Sequence, residues 1–313
     1  MKKRILTSIA IVLTIALLFV LKVLVSPFFF DAFLLIVVGF AAYEMSQLFT
    51  RIGKFHHQSI VISFAVLMGL SSILTIEFGL GFAATIGIDL AIVLVGFLTS
   101  FFISLMCKKH SLAEIKIRAL PPKLGLFSIK KALSTLTGLI YPSLLFTAMI
   151  LLNHIDLIKL ESVSDFGGKF SLFALIFAFT IPMFTDSFAM LMGMLFGGKK
   201  LCPKISPNKT ISGAIGGTVW CVLLSCCVYL ILGAIDYFNP VISSIAIWEV
   251  ALIVLFGSIV AQAGDILESF FKRKANVKDS GKILPGHGGM LDRIDSYISV
   301  APYLLIALTF VLI

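Results

Sequence analysis

Nine apolar runs, each long enough to cross a bilayer, follow one another along this chain of 313 residues. They fall near residues 5–25, 29–49, 60–77, 83–106, 132–153, 169–195, 211–233, 245–271 and 294–313, the third being the shortest. About twenty apolar residues in a helix span the hydrocarbon core. Lipid offers no water to a bare peptide group, so each run is expected to be a helix that satisfies its own backbone. The runs are continuous rather than alternating, which excludes a membrane barrel. Composition agrees: 59% of the residues are hydrophobic and 13% charged, against about 45–50% and about 25% in soluble domains. The expected fold class is all-α, a polytopic integral membrane protein of about nine helices with no soluble domain of ordinary size.

The first run follows Met1-Lys2-Lys3-Arg4, as in a signal sequence, but it continues to about Val25 with no small-x-small cleavage site before Pro27. We read it as a retained first helix. With the N-terminus in the cytoplasm, 22 of the 25 Lys and Arg residues fall on inward segments, and only Lys22, Lys159 and Lys169 fall elsewhere. The outward loops carry Glu77, Asp156, Glu161, Asp165 and Asp236. This is the positive-inside pattern, and nine helices then leave the C-terminus outside. The net charge of +9 therefore reports topology, and no nucleic-acid partner is expected. The segment Cys107–Lys131, with Pro121-Pro122, reads as a basic cytoplasmic surface against anionic headgroups or as topology signal alone. It divides the chain into 1–131, about four helices plus the basic segment, and 132–313, about five helices bearing the signature and most of the chemistry. Cys107, Cys202, Cys221, Cys226 and Cys227 form no C-x-x-C pair and read as small apolar fillers. There is no convincing internal repeat, so an inverted-repeat transporter gains no support.

The densest polar stretch runs from Gly264 to Asp295, between two apolar runs. Asp265 and Glu268 are three apart and share a face of the eighth helix. Asp292 and Asp295 have the same spacing at the start of the ninth, where the helix dipole alone would favour them. Asp265, inside an apolar helix, has no such explanation. Hard oxygen donors without clustered His or Cys point to Mg²⁺ rather than zinc. Lys272, Arg273 and Arg293 stand beside them as groups for phosphates. His287, between glycines, either shapes a turn or bonds a phosphate. Asp186 lies within the sixth helix, where a carboxylate costs about 2.5–3.5 kcal/mol on insertion scales; it either pairs inside the bundle or faces a polar substrate cavity. Ser206, Lys209 and Thr210 precede the seventh helix, whose N-terminus suits a phosphate. The P-loop motif itself is absent, and a capped helix with packing glycines is the alternative. Acids for a divalent cation beside bases for phosphates suggest phosphoryl or nucleotidyl chemistry on a lipid.

Ser269-Phe270-Phe271-Lys272-Arg273, Lys278-Asp279-Ser280-Gly281 and Leu284-Pro285-Gly286-His287-Gly288-Gly289-Met290-Leu291-Asp292-Arg293-Ile294-Asp295 occur in that order. Together they resemble the signature of the phosphatidate cytidylyltransferases, the CDP-diacylglycerol synthases. Thr185-Asp186-Ser187-Phe188-Ala189-Met190, Ile205-Ser206-Pro207-Asn208-Lys209-Thr210 and Gly213-Ala214-Ile215-Gly216-Gly217 resemble a second element of that family. Met190 stands where Tyr is expected, and Asn208 where Lys is commoner. The resemblance covers roughly 180–313, and the first five helices match as generic membrane helices.

The resemblance implies that a lipid phosphate attacks the α-phosphorus of CTP, giving CDP-diacylglycerol and pyrophosphate in phospholipid synthesis. It implies a metal centre at Asp265 and Asp292, with Glu268 and Asp295 as auxiliary ligands, holding Mg²⁺; a second, monovalent cation is left open. Asp186, Ser206, Lys209 and Thr210 would bind nucleotide or its phosphates, and Lys272, Arg273 and Arg293 the triphosphate or lipid phosphate. His287 joins the substrate-binding set, and Lys209 and Arg293 join the two aspartates in the catalytic set. The implied partners are CTP, phosphatidic acid and the bilayer, and Gly-rich helices leave a homodimer open. The implied location is the cell membrane, with the site facing the cytoplasm. Competing readings are a CTP-dependent enzyme for another lipid phosphate, an ion-coupled transporter using Asp186 and Asp265, and a structural scaffold. The D-x-x-D-G-x-x-A-R motif of CDP-alcohol phosphotransferases is not found.

Overall fold

The computed structural model describes residues 2–52, 57–114, 124–157 and 168–312. Lys54, the part of the basic segment holding Lys116, Arg118, Pro121-Pro122 and Lys123, and Lys159, Glu161 and Asp165 lie outside the described residues. Among the described residues, nine helical spans are long and apolar enough to cross a membrane. They are built from α1 (Lys2–Leu24), α2 (Phe28–Arg51), α3 (Gln58–Glu77), α4 (Gly81–Glu114), the composite of α5 (Leu124–Gly138) and α6 (Leu145–Asn153), α7 (Lys169–Phe196), α8 (Ile211–Gly233), α10 (Ile247–Lys274) and α11 (Leu291–Leu312). A short helix, α9 (Asn239–Ile242), joins α8 to α10. The all-α reading stands. The third span, shortest in the sequence, is a full 20-residue helix. At 34 residues, α4 is about 51 Å long and exceeds the core thickness of about 30 Å.

Two departures from uniform helix position the site. The first is a break in the fifth span. A π-type turn at Leu139–Leu144 separates α5 from α6, and Tyr141 inside it has extended φ/ψ of −117°/117°. Pro142 follows, and a proline drives the residue before it out of the helical region. Ser143 Oγ donates to the Gly138 carbonyl at 3.0 Å, satisfying an acceptor that lipid could not. The break sets the Tyr141 ring 5.8 Å from that of Phe271 on α10.

The second departure corrects the expectation of a loop before the seventh helix. Residues 200–210 form an antiparallel hairpin, β1 (Lys200–Cys202) with β2 (Ser206–Thr210), paired Lys200 to Thr210 and Cys202 to Ser206. Gly197 and Gly198 end α7 at φ of 58° and 97°, a conformation that costs glycine least. The chain thereby leaves the helix and returns at once into α8.

The α7 and α8 backbones are nearly in contact. A Cβ on Gly213 would lie 2.5 Å from the Ala189 carbonyl oxygen, and one on Gly217 would lie 2.8 Å from that of Thr185. Small residues permit such an approach where water cannot drive helices together. A hydroxyl and amide ladder ties α7, α8 and α10 beneath the site: Thr185 Oγ1 to Ser258 Oγ at 2.9 Å, Ser258 to Thr218 at 3.1 Å, and Gln262 Nε2 to Thr218 at 2.9 Å. The main apolar cluster extends from Leu18 to Leu308. The division near residue 131 thus remains a proposal about where the chemistry lies. Cys202, Cys221, Cys226 and Cys227 are free thiols, and of these four Cys221 is the buried one.

The bundle has two distinct polar ends. At one, Lys22 Nζ donates to the Asn153 carbonyl oxygen and Oδ1 at 2.8 and 2.7 Å, Asn153 reaches Asp31 at 2.8 Å, and His154 meets Asp31 at 2.6 Å. These bonds gather the end of α1, the start of α2 and the end of α6. The other end holds the hairpin and the loop between α10 and α11.

Candidate active site

The sequence elements singled out above meet at the end where α7 and α10 finish and α8 and α11 begin. The hairpin rests on α10, with Arg273 Nε donating to the Ile205 carbonyl at 3.0 Å. Lys209 of β2 forms an ion pair with Asp265 of α10. The loop before α11 turns back on itself: Leu284 N donates to Gly288 O at 3.0 Å, and His287 N to Leu284 O at 3.0 Å. Gly286 and Gly288 hold φ of 79° and 88° there, so the G-H-G-G spacing follows from the turn itself. Arg293 fastens the same turn, donating from Nε and Nη2 to the His287 carbonyl at 3.1 and 2.8 Å. The start of α1 closes over it, with Thr7 Oγ1 donating to Pro285 O at 2.9 Å and Ser8 Oγ 3.1 Å from His287 Nε2.

Hydrogen bonds and ion pairs sort the predicted carboxylates into two groups. In the first, Asp265 faces Lys209 and accepts from Ser269 Oγ at 3.3 Å. Asp186 accepts from Ser296 Oγ at 3.2 Å. Asp186, Asp265 and Asp295 lie within electrostatic reach of one another. In the second group Lys272 is the hub. Its Nζ bonds Asp292 Oδ1 at 2.8 Å and pairs with Glu268 one turn earlier on α10. Asp292 also accepts from Ser280 N at 3.1 and 2.9 Å and from Gly289 N at 2.8 Å. Asp292 thus spends its oxygens on the loop and on Lys272.

Two cavities open onto these groups and share Asp186. One, of about 620 Å³, brings Lys200, Asn208, Lys209, Thr210 and Gln262 around Asp186 and Asp265. The other, of about 510 Å³, has an apolar wall from α1, α2, α6 and α7, including Ile11, Ile15, Phe33, Leu34 and Phe179, with Asp292, Arg293 and Asp295 at its polar part. Met190, standing where Tyr was expected, lines the first cavity. Thr210 is both cap and lining: its Oγ1 accepts from Gly213 N at 3.1 Å, which realises the capped-helix alternative. Ser206, Lys272, Arg273, Glu268 and His287 line neither of these two cavities. Arg273 braces the hairpin, and the His287 ring meets Ser8 of α1.

The donors fit a hard divalent cation. Asp186, Asp265 and Asp295 set three carboxylates against two ammonium groups, Lys209 paired with Asp265 and Lys272 within reach of Asp295, and Oε1 of the fully buried Glu268 has no hydrogen-bond partner among the described residues. No three acidic, His or Cys side chains among the described residues gather closely enough to hold an ion by themselves. Mg²⁺ commonly takes one or two carboxylates and fills its other places with water and substrate phosphates, so an open set suits it. Sequence reasoning missed Glu44 of α2, which contacts the signature loop, and Tyr141, whose buried hydroxyl lies in the field of Glu268. A carboxylate inside the apolar run 29–49 was the available signal for Glu44.

The sequence model described as the cytidylyltransferase family matches residues 2–311. The chain belongs to that family. Curated relatives named phosphatidate cytidylyltransferase include those of Staphylococcus saprophyticus and Staphylococcus aureus, each 46% identical over 134 residues, and that of Staphylococcus epidermidis, 44% identical over 134 residues. Each alignment covers 43% of this chain and 48% of the relative, so the chain spans about half the length of the curated relatives it matches. Family membership extends to the first five helices, which the sequence signature did not reach.

Proposed function

We propose that this protein is a CTP:phosphatidate cytidylyltransferase. It would join the phosphate of phosphatidic acid to the cytidylyl group of CTP, releasing pyrophosphate and leaving CDP-diacylglycerol in the membrane. The observation that carries the reading is the pair of cavities meeting at Asp186, one with Lys200, Lys209, Asn208 and Gln262 in its lining and one walled by apolar helices. A triphosphate suits the first and an acylated phosphate the second, with the two phosphates facing each other across the shared carboxylate. The names borne by the staphylococcal relatives support CTP and phosphatidate as the substrates.

Lys209 and Lys200 would neutralise the triphosphate and the leaving pyrophosphate, where charge gathers as the P–O bond breaks. Arg293 would hold the lipid phosphate, with the acyl chains lying along Ile11, Ile15 and Phe33. A phosphate monoester with its second pKa near 6 is already ionised at neutral pH, so the attacking oxygen needs no strong general base. Asp265, with one of Asp186 and Asp295, would hold Mg²⁺ together with water and substrate phosphates, with Glu268 and Asp292 in support, and bound Mg²⁺ would supply Lewis-acid neutralisation of phosphate charge. The positive-inside distribution supports a cytoplasmic site, where CTP is available.

Purified protein in detergent, given phosphatidic acid and labelled CTP with Mg²⁺, is expected to move label into the lipid phase and release pyrophosphate; chelation by EDTA should stop it. Folded protein that labels no lipid would overturn the reading, and label transferred only to another lipid phosphate would redirect it to that substrate. For orientation, a cysteine replacing the exposed Lys282 should react with an impermeant maleimide from the cytoplasmic side alone. Labelling of intact cells from outside would reverse the assignment.

A further inference from the structure

Glu44 lies on α2, in the half of the chain without the signature, and its side chain is buried. Its Oε2 accepts from Ser280 Oγ at 2.9 Å and from Leu291 N at 2.8 Å. Leu291 is the first residue of α11, so its N–H is one of the donors that a helix start leaves unpaired. Glu44 therefore caps α11 from another helix. The loop backbone lies directly on the carboxylate: a Cβ at either Gly281 or Gly289 would collide with Glu44. Ser280 is held from both sides, its hydroxyl by Glu44 and its main-chain N–H by Asp292. Asp292 in turn holds Gly289 N and Lys272. A continuous set of bonds thus runs from α2 through the loop to the polar group on α10. Glu44 lines neither substrate cavity.

We propose that Glu44 is a positioning residue for the cytidylyl transfer proposed above, on which this inference rests: it fixes the loop Ser280–Leu291 so that Asp292 and Arg293 are presented correctly. It touches no substrate and acts through the loop. A displacement of about 1 Å remote from the reacting atoms can cost on the order of 100-fold in rate, and a loop with its cap removed has room for that. Nucleotide binding at the hairpin draws on other residues and is unaffected.

The test compares wild type with Glu44→Ala, which removes the acceptor that Ser280 and Leu291 share, and with Ser280→Ala, following kcat, KM for CTP and hydrogen–deuterium exchange of the 280–291 segment. Glu44→Ala is expected to lower kcat by about tenfold to 100-fold with KM for CTP within about twofold, and to speed exchange in 280–291 while α7 and α8 keep their protection. Ser280→Ala, the milder change, should move the same readouts in the same direction even if Glu44→Ala does not fold. The double variant should be no slower than Glu44→Ala alone, since the bond that Ser280→Ala removes is already lost with the carboxylate. Wild-type kcat and exchange in Glu44→Ala would overturn the proposal. So would a lost kcat with unchanged loop exchange and a raised KM, which would put Glu44 in the nucleotide site. Wild type without cytidylyl transfer would fail the underlying reading instead, and that control separates the two failures.

Discussion

Asp265→Asn is expected to leave a folded protein whose turnover is reduced by at least about 100-fold, the scale on which removing one preorganised electrostatic group acts. Asn keeps the shape of the side chain and the helix propensity of α10 near its original value, so the change is one of charge. Among the described residues, Asp265 is the carboxylate that combines three features: it lines the cavity proposed for CTP, pairs with Lys209 of the hairpin, and lies in the field of Asp186 and Asp295. Neutralising it would remove the proposed cation ligand and alter the hold on Lys209. Lys209→Ala provides the contrast. A charge-assisted hydrogen bond contributes about 1.5–3 kcal/mol, so its loss should raise KM for CTP by about tenfold or more with a smaller effect on kcat. Steady-state kinetics with CTP varied, beside thermal unfolding of each variant, separates the two roles. An Asp265→Asn protein that turns over within tenfold of wild type, with unchanged melting, would remove Asp265 from the chemistry.

The spans were legible because membrane crossing depends on the length of an apolar run, which is a one-dimensional property. The coming together of Asp186, Lys209, Asp265 and Asp295 was legible for a related reason. Alternating spans put the ends of α7 and α10 on the same side as the starts of α8 and α11, so residues near those ends had to meet. Other features depend on partners distant in sequence. Glu44 and Ser280 are 236 residues apart, and nothing local to Tyr43-Glu44-Met45 states what the carboxylate touches. The family resemblance implied a metal ligand at Asp292, without stating that this carboxylate also holds the loop. Its bonds to the N–H groups of Ser280 and Gly289 involve main-chain donors that every residue but proline carries, so sequence cannot single them out. The hairpin was hidden because its eleven residues, with two Pro and three Lys, show neither alternation nor an apolar face. The break at Tyr141-Pro142 was visible as a proline inside an apolar run, but its consequence, a tyrosine ring set beside Phe271 of α10, depends on how α5 and α6 pack.

The other large effect is expected at Lys272. Its ammonium is the shared counter-charge of Glu268, whose side chain is 0% exposed, and of Asp292, whose side chain is 6% exposed. Removing one partner of a buried ion pair while leaving the other costs about 3–5 kcal/mol, and here two carboxylates lose the same partner. Lys272→Met keeps the apolar stem and removes only the charge, so it should lower thermal stability in detergent markedly as well as activity. Lys272→Arg keeps the charge and should retain most of the stability. Lys272→Met combined with Glu268→Gln should regain part of the lost stability, because one uncompensated charge is gone, but not the activity, because Asp292 still lacks its ammonium and the loop its anchor. That split between folding and turnover tests the arrangement itself. If the melting temperature of Lys272→Met matched wild type, the two carboxylates would have to be compensated by something other than this lysine. Repeating the melt with Mg²⁺ and with EDTA would then show whether the compensating charge is a bound cation, since a ligand that binds only the folded state raises its stability in proportion to the logarithm of its concentration over Kd once the site is near saturation.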